Sequence, residues 1–417
     1  MNSRLIALAL GTFAIGIDAF VTAGLVTPVS ADLGVSTSAA GQLVTVFALS
    51  YAVLSPILAT ATAQLSRKRV LLIALSLFVL GNVVTASAGA FALVLASRVI
   101  AAAGASMYTP NATAVAAALS APERRGRAIS VVIGGLTVAT ALGVPIGSWI
   151  GGAFSWRATL WLVAALGAVA LASVAAIVPA VHLPAPARLR ERLMPLRDRT
   201  IATGLLHAVL LFGGMFTVYT YLAAAMHPAT GGSTGRFTIL LWVYGLMAVA
   251  GSTLGGRLVD RLGSRKIMPL TLIGAGVVVA LIQAAGQHFA TALIWCVAFG
   301  IPGWIWAVAQ QHRLVELSPQ GSPLLLGLNA SAQYFGIAIG GAAGGLGLQW
   351  WGADSLGWIG VILVIGALGL LAISLHAATN RSTDPAATPP PLPTAPAANT
   401  TPPSMTNTVP APGTATA

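Results

Sequence analysis

The stretch GVPIGSWIGG, residues 143–152, places glycine at every fourth position around one proline. The chain returns to this spacing in GIAIGGAAGG, residues 336–345. Glycine and proline both disfavour the interior of an ordinary helix. Between helices in lipid, however, small residues at this spacing allow close approach. The recurrence indicates two distant helices with a shared packing requirement.

The composition is typical of a membrane protein. Of the 417 residues, 57% are hydrophobic and 7% are charged, whereas soluble domains carry about 25% charged residues. The single cysteine, Cys296, excludes an internal disulfide, and the six histidines are too scattered for a metal site. The sequence also lacks a nucleotide-binding glycine loop and a catalytic triad. We therefore expect no cofactor, no metal and no enzymatic activity.

Apolar blocks of about 20 residues predict twelve membrane spans. The fold class is then an all-α membrane protein. The first six predicted spans are 5–27, 41–64, 70–91, 93–118, 127–150 and 157–179. The second six are 201–225, 236–258, 266–287, 290–311, 323–349 and 354–378.

The positive charges orient these spans. If the N-terminus is cytoplasmic, all but three of the 21 Lys and Arg residues lie in cytoplasmic segments. The exceptions are Arg98, Arg157 and Arg236. The positive-inside rule therefore predicts that both termini are cytoplasmic. It also explains the net charge of +12 without a nucleic-acid partner.

The chain contains an internal repeat. The two glycine stretches fall in spans 5 and 11, six spans apart. Likewise, SRKRVLLIAL (66–75) enters span 3 and SRKIMPLTLI (264–273) enters span 9. Two parallel six-span repeats predict two pseudo-symmetric bundles with a substrate cavity between them near the midplane.

Four regions follow from this pattern. They are an N-terminal six-helix bundle (1–180), a cytoplasmic basic linker (181–200), a C-terminal six-helix bundle (201–378) and a tail (379–417). The basic linker suits an orientation signal on anionic headgroups. The tail is rich in Pro, Thr and Ala, and its composition predicts disorder.

Several motifs resemble the major facilitator superfamily. GGRLVDRLGSRK (255–266) is similar to its short loop signature, LVLASRVIAAAGA (93–105) to its fourth-span signature and GVPIGSWIGG to its antiporter-associated fifth-span signature. Other segments resemble the twelve-span drug:proton antiporters that include arabinose and chloramphenicol efflux permeases. These segments are 16–36, 122–128, 156–161 and 328–340.

The resemblance covers about residues 5–378, with departures. The loop before span 3 lacks the expected acid, Ala101 replaces a glutamine, and Val144 separates Gly143 from Pro145. The resemblance implies a monomer in the bacterial cytoplasmic (inner) membrane. Its expected partners are the lipid bilayer, protons and a small-molecule substrate.

Two charged residues lie within the apolar spans. Asp18 is the acid deep in a span, and Arg98 is the base well inside one. A charge near the bilayer centre costs about 2.5–3.5 kcal/mol on insertion scales, which makes such a residue a functional candidate. At about 1.5 Å per residue, both lie in the outer half of the membrane. We predict that they lie close together and couple transport to protons. The alternative is a structural ion pair.

The loop between spans 8 and 9 is a candidate conformational latch. The resemblance and the pseudo-symmetry predict that Asp260 lies near Arg127 at the start of span 5, where a helix N-terminus also attracts a carboxylate. Simple turn and topology chemistry is the alternative. The latch residues are Gly256, Asp260, Arg261, Gly263, Arg265 and Arg127.

Spans 1, 4, 7 and 10 are expected to line the cavity, with additions from spans 2 and 11. Aromatic walls with a few amides suit a neutral or weakly cationic amphipathic molecule. Each aromatic has side-chain packing as its alternative role. The candidates are Tyr51, Tyr108, Asn111, Phe212, Phe216, Tyr219, Trp304, Trp306, Gln310, Asn329 and Gln333.

The resemblance places span 5 against span 8 and span 11 against span 2, between the two halves. Gly143, Gly147, Gly336 and Gly340 would then form two sliding seams. Pro145 cannot bond the carbonyl of Ala141, so span 5 is expected to bend there.

The sequence thus favours proton-coupled efflux of a small neutral or cationic organic compound, such as a drug, sugar or metabolite, by alternating access. Two alternatives remain open. One is an uptake symporter or facilitator of the same fold, and the other is a non-transporting membrane sensor.

Overall fold

The computed structural model describes residues 3–181, 189–318 and 321–383, and the regular secondary structure in these ranges is helical. The prediction of an all-α protein is therefore confirmed. Eleven helices in these ranges are long and apolar enough to cross a membrane. Those of the first half are α1 (Ser3–Leu33), α2 (Thr37–Ala61), α3 (Arg67–Ser87), α4 (Phe91–Ala118), α5 (Pro122–Ala153) and α6 (Trp156–Ile177).

The second half has the same order of long helices. They are α7 (Arg199–Thr220), α8 (Thr234–Leu262), α9 (Ser264–Ala280), α10 (Phe289–Leu317), α11 (Ser322–Trp351) and α12 (Ser355–Thr383). The ninth predicted span is divided into α9, a 17-residue helix, and a short helix, Ile282–Ala285. Helix α10 is interrupted just before Pro302, because proline lacks the N–H that would continue the helical bonding.

The linker and the tail are described in part. In the linker, a short helix spans Leu189–Leu193 and a 3₁₀ turn spans Met194–Arg197. Asp198 then caps α7, accepting hydrogen bonds from the N–H groups of Thr200 (2.8 Å) and Ile201 (3.3 Å). Residues 182–188 of the predicted linker and 384–417 of the predicted disordered tail lie outside the described residues.

Short turns join most neighbouring helices. Gly34, Gly263 and Gly352 adopt positive φ at three of them, a conformation that other residues rarely tolerate. The end of the molecule at which α1, α3 and α5 begin also holds the described linker, and we call it the basic end. It is held together in part by the Arg67 N–H, which donates to the carbonyl of Val181 (2.9 Å).

Helix contacts are dense within each half of the chain. Helix α1 packs against α2, α4, α5 and α6, and α3 packs against α4 and α6. In the second half, α7 packs against α11 and α12, and α10 packs against α8 and α9. Across the halves, α2 packs along α11 and α5 contacts α8, as the resemblance implies.

The four glycines predicted to form the seams do not face these cross-half contacts, so their placement was wrong; they are Gly143, Gly147, Gly336 and Gly340. A Cβ on Gly143 or Gly147 would meet Ile17 or Val21 of α1, at 2.3 and 2.8 Å. A Cβ on Gly336 or Gly340 would meet backbone atoms of α7, each at 2.4 Å. A spacing of four residues defines one face of a helix, but it does not identify which other helix packs against that face. These four glycines let α5 and α11 approach the first helix of their own half.

Other residues form the cross-half contacts. A Cβ on Gly245 of α8 would meet the Thr140 carbonyl of α5 at 2.5 Å. Between α2 and α11, Gly341 lies against Thr45, and Ser38 Oγ donates to the Gly345 carbonyl (2.7 Å). In α5, Ala139–Gly143 form a π-turn just before Pro145, and the bend expected at this proline stays a prediction.

Candidate functional site

Asp18 and Arg98 form a buried ion pair, as the sequence predicts. Arg98 Nη1 lies 2.8 Å from Asp18 Oδ1, and their side chains are 2% and 0% exposed. Asn82 of α3 completes the group: its Nδ2 donates to Asp18 Oδ2 and its Oδ1 accepts from Arg98 Nη1, both at 3.5 Å. Such a pair is stable only when the remaining polar atoms find partners. Arg98 Nε has no hydrogen-bond partner among the described residues.

Aromatic side chains connect this pair to the second half. The Arg98 guanidinium lies 4.6 Å from the centre of the Phe47 ring on α2, within the range of a cation–π contact. Tyr334 of α11 lies 6.5 Å from the Phe47 ring and stacks on Tyr51 at 3.7 Å. A path of contacts therefore runs from α1 through α4 and α2 to α11. Neither Phe47 nor Tyr334 stands out in the sequence, since an aromatic in an apolar helix has no distinguishing pattern.

A second aromatic cluster joins α1 to α7. Phe20 of α1 lies 6.1 Å from Phe216 and 6.5 Å from Tyr219, and the Tyr219 hydroxyl donates to the Phe20 carbonyl (3.4 Å). Phe216 also stacks on Phe212 (6.0 Å). The structure thus brings together three predicted cavity residues, and it adds Phe20.

The other predicted cavity residues have varied surroundings. Tyr108 is buried within the first half and donates to the Leu8 carbonyl (3.1 Å), which indicates a packing role. Trp306 contacts Phe212 (5.8 Å). Gln310 bonds to Asn329 (3.2 Å). The remaining three are Tyr51, Trp304 and Gln333. Tyr51 stacks on Tyr334 (3.7 Å), and Trp304 and Gln333 are partly exposed.

Asn111 is the predicted residue that borders an open cavity. This cavity, of about 250 Å³, lies at the basic end among α2, α4, α11 and the linker. Its lining residues are Ser55, Pro56, Ala59, Arg67, Pro110, Asn111, Ala114, Arg192, Pro323, Leu324, Gly327, Leu328 and Ser331.

The second half contains a buried polar group that has no distinguishing pattern in the sequence. Arg313 Nη2 donates to Ser374 Oγ (2.7 Å), and Ser374 Oγ donates to the Thr200 carbonyl (3.1 Å). His207 lies edge-on to Trp306 at 5.4 Å. Arg313 Nη1, His207 Nε2 and Trp306 Nε1 are buried without a partner among the described residues. Arg313 sits near a predicted helix end, where the charge pattern indicates only topology.

The latch residues do not meet in this conformation. Asp260 and Arg127 are both exposed, and no ion pair joins them in the part of the chain that the structure describes. Gly263 has φ of 79° in the α8–α9 turn, whereas Gly256 faces open space. The turn is instead attached to α10, where Ser264 Oγ donates to Glu316 Oε2 (3.1 Å). The latch stays a prediction for another conformation.

The two halves are joined closely at the end opposite the basic end. The Tyr221 hydroxyl of the second half donates to the Ser38 carbonyl of the first (3.4 Å), and Ser38 Oγ donates to the Gly345 carbonyl of α11 (2.7 Å). Nearby, Asp32 of α1 binds Arg157 and Trp156 at the start of α6. Hydrogen bonds thus join the halves at this end, and a cavity lies at the other.

Comparisons with known proteins agree with this architecture. The family model for the Major Facilitator Superfamily matches residues 8–238 and 205–408. The chain is 30% identical over 369 residues to the uncharacterized MFS-type transporter YtbD of Bacillus subtilis (strain 168), covering 87% of this chain and 93% of the relative.

Two further matches concern a resistance protein and a solved structure. The chloramphenicol resistance protein of Streptomyces lividans is 33% identical over 274 residues, which cover 64% of this chain and 70% of that protein. A crystal structure of the peptide transporter POT in complex with sulfate has the same fold, with a TM-score of 0.73 at 15% identity, over 91% of this chain and 95% of that chain. The chain is therefore a multi-pass membrane protein that belongs to the Major Facilitator Superfamily.

Proposed function

We propose that this protein is a proton-coupled antiporter that exports a small neutral or cationic organic compound from a bacterial cell. The observation that carries the proposal is the buried pair of Asp18 and Arg98, with its aromatic connection to α11. A buried carboxylate that meets its counter-charge within one half is suited to binding a proton. Its contact path to the other half would couple that proton to movement.

The coupling rests on the energy of a buried pair. Protonation of Asp18 removes the negative charge that Arg98 faces at 2.8 Å. Loss of one partner of a buried pair typically costs about 3–5 kcal/mol. The protonated protein would therefore favour a conformation in which Arg98 gains other partners. Because Phe47 lies between Arg98 and Tyr334, a shift of Arg98 would act on the contact between α2 and α11.

We propose twelve spans in two pseudo-symmetric six-helix bundles, with both termini in the cytoplasm and the protein in the bacterial inner membrane. The grouping of helix contacts within each half supports this arrangement. The distribution of arginine and lysine supports the orientation. The basic end would then face the cytoplasm, and this conformation would be inward-facing.

The aromatic residues between the halves support a neutral or cationic cargo. Phe20, Phe216 and Tyr219 form a cluster between α1 and α7, and aromatic faces bind cations and apolar groups alike. A relative named for chloramphenicol resistance is consistent with export. The side-chain amides of Gln310 and Asn329 would form hydrogen bonds that orient the compound.

The test uses Asp18→Asn in proteoliposomes. A transported compound is first selected by thermal stabilisation of the purified protein, from a panel that includes chloramphenicol. An acidic lumen should then drive uptake by molecules whose cytoplasmic side faces outward. Asp18→Asn should abolish this uptake while substrate exchange without a pH gradient continues. Asp32→Asn is the matched control, since Asp32 lies in the same helix but is partly exposed at its far end.

The result also separates the alternatives. If Asp18→Asn retains uptake driven by the pH gradient, the proton assignment is wrong. A symporter would accumulate the compound when the acidic side is outside. Uptake by a facilitator would not depend on the pH gradient. A sensor would bind compounds without exchanging them.

A further inference from the structure

The cavity at the basic end has an unusual lining for a protein that exports neutral or cationic compounds. Two guanidinium groups, those of Arg67 and Arg192, border it, and its described lining includes no carboxylate. The cavity therefore has a positive electrostatic potential. Cations would be repelled there, and anions would be attracted.

The two arginines are held in place by the fold. Arg67 is 7% exposed, and its Nη1 donates to Asn111 Oδ1 (3.2 Å). Asn111 is fixed in turn, because its Nδ2 donates to the Met107 carbonyl (2.7 Å). Burial, together with the positive charge of Arg67, lowers the pKa of the Arg192 guanidinium. The charge of Arg67 thus disfavours that of Arg192, and an anion between the two guanidinium groups would offset this effect.

The remaining lining defines the shape of the ligand. Apart from the hydroxyls of Ser55 and Ser331, it consists mainly of proline, alanine and leucine side chains and of one glycine. Ligands of mixed character match such a site, with polar groups fixing the head and apolar walls covering the rest. The volume of about 250 Å³ limits the ligand to a small head and a short chain.

The cavity also bridges parts that must move relative to one another. Helices α2 and α4 belong to the first half, α11 belongs to the second, and Arg192 lies in the linker between them. A ligand bound there contacts all three. It stabilises the conformation in which the cavity exists, by mass action.

We propose that this cavity is a regulatory site for a small amphipathic anion, a carboxylate or phosphate with a short apolar chain. The anion binds between Arg67 and Arg192 and holds the two halves in the conformation that is open at the basic end. It is an effector and not the cargo. The proposal does not depend on Asp18.

Thermal unfolding of the purified full-length protein in an uncharged detergent tests the site. The probes are octanoate, octanol and octylammonium, each below its micelle-forming concentration. Octanoate should raise the melting temperature in a saturable manner, and the alcohol and the amine should not. Equal stabilisation by octanol and octanoate would overturn the proposal, because the arginines would then be irrelevant.

Two charge-matched variants locate the effect. Arg192→Gln should raise the half-saturating concentration of octanoate at least tenfold, whereas Arg190→Gln should leave it unchanged. Arg190 is exposed on the same short helix, so the two variants lose the same charge. Arg192 is preferred to Arg67, whose buried contacts support the fold. An equal loss in both variants would mean a general surface attraction and would refute the site.

Two further arms identify the source of the anion. Inorganic phosphate tests whether a free ion suffices, and nanodiscs of phosphatidylcholine with or without phosphatidylglycerol test a lipid headgroup. Stabilisation that disappears in Arg192→Gln supports the proposal in either arm and names the source. If octanoate, phosphate and phosphatidylglycerol all fail to stabilise the wild-type protein, the site does not bind anions.

Discussion

A carboxylate inside an apolar helix bundle needs a counter-charge, and Arg98 supplies it to Asp18 at 2.8 Å. The sequence identifies both residues because charges are rare in membrane spans and costly there. It does not identify Asn82, Phe47 or Tyr334, which complete the surroundings of the pair. Amides and aromatics are common in such helices, and only the packing of α2 and α3 against α4, and of α11 against α2, gives these three their role.

A glycine in a close helix contact illustrates the same limit, and it leads to a first prediction. Gly340→Ala should destabilise the protein, because the new Cβ would lie 2.4 Å from the Gly213 carbonyl. This oxygen belongs to the backbone of α7 and cannot move away by a change of side-chain rotamer. Overpacking of this kind costs about 1–3 kcal/mol. Thermal unfolding of the purified protein measures the loss.

Gly134→Ala is its control. Gly134 lies in α5 with nothing within 4 Å of the added Cβ, and alanine has the higher helix propensity by about 1 kcal/mol. Its melting temperature should be unchanged or higher. If Gly340→Ala melts no lower than Gly134→Ala, the close approach of α7 and α11 is not required for stability.

Eleven of the twelve predicted spans match described helices that are long and apolar enough to cross a membrane, since a long apolar block in lipid has few alternatives to a helix. The ninth predicted span is divided between α9 and a short helix. The faces of these helices were less predictable. The period-four glycines identified a small-residue face of α5 and α11, yet that face packs within each half. The cross-half faces include Thr45, Gly245 and Gly341, a set without a regular spacing.

Helix α5 gives the second prediction, which rests on the proposed movement of the halves. Pro145 follows the π-turn Ala139–Gly143, and such turns often occur at functional sites. Pro145→Ala restores an N–H that can bond to the Ala141 carbonyl, so α5 should become regular. We expect transport in proteoliposomes to slow several-fold while the dissociation constant of the compound stays the same.

Pro269→Ala is the control for that change, because Pro269 lies inside α9, away from the contact between α5 and α8. Hydrogen exchange of the α5 amides reports whether the π-turn has been lost. A regular α5 with normal transport would show that the bend is not needed for movement.

At the scale of the molecule, the two ends differ. The cavity lies at the basic end, and the hydrogen bonds of Ser38 with Tyr221 and Gly345 join the halves at the other. The sequence predicts the halves through their repeated motifs, but it does not predict which end is closed. Both conformations of an alternating carrier must be compatible with one sequence, so their relative stability depends on a few contacts of modest energy.

Tyr221→Phe tests that balance. The hydroxyl of Tyr221 donates across the halves to the Ser38 carbonyl at 3.4 Å, besides its bond to Gly341 within the second half. A net contribution of about 0.5 kcal/mol, the lower end for a hydrogen bond, implies a shift of roughly twofold toward the conformation open at the opposite end. A cysteine introduced at Ala59, which lines the cavity at the basic end, reports the shift, because the native Cys296 is buried and adds little background. Its labelling rate should fall by up to that factor in Tyr221→Phe and stay constant in Tyr108→Phe, whose hydroxyl bonds within one half. An unchanged rate in Tyr221→Phe would mean that this hydrogen bond breaks in neither conformation, and the closure would then have to depend on the packing of α2 against α11.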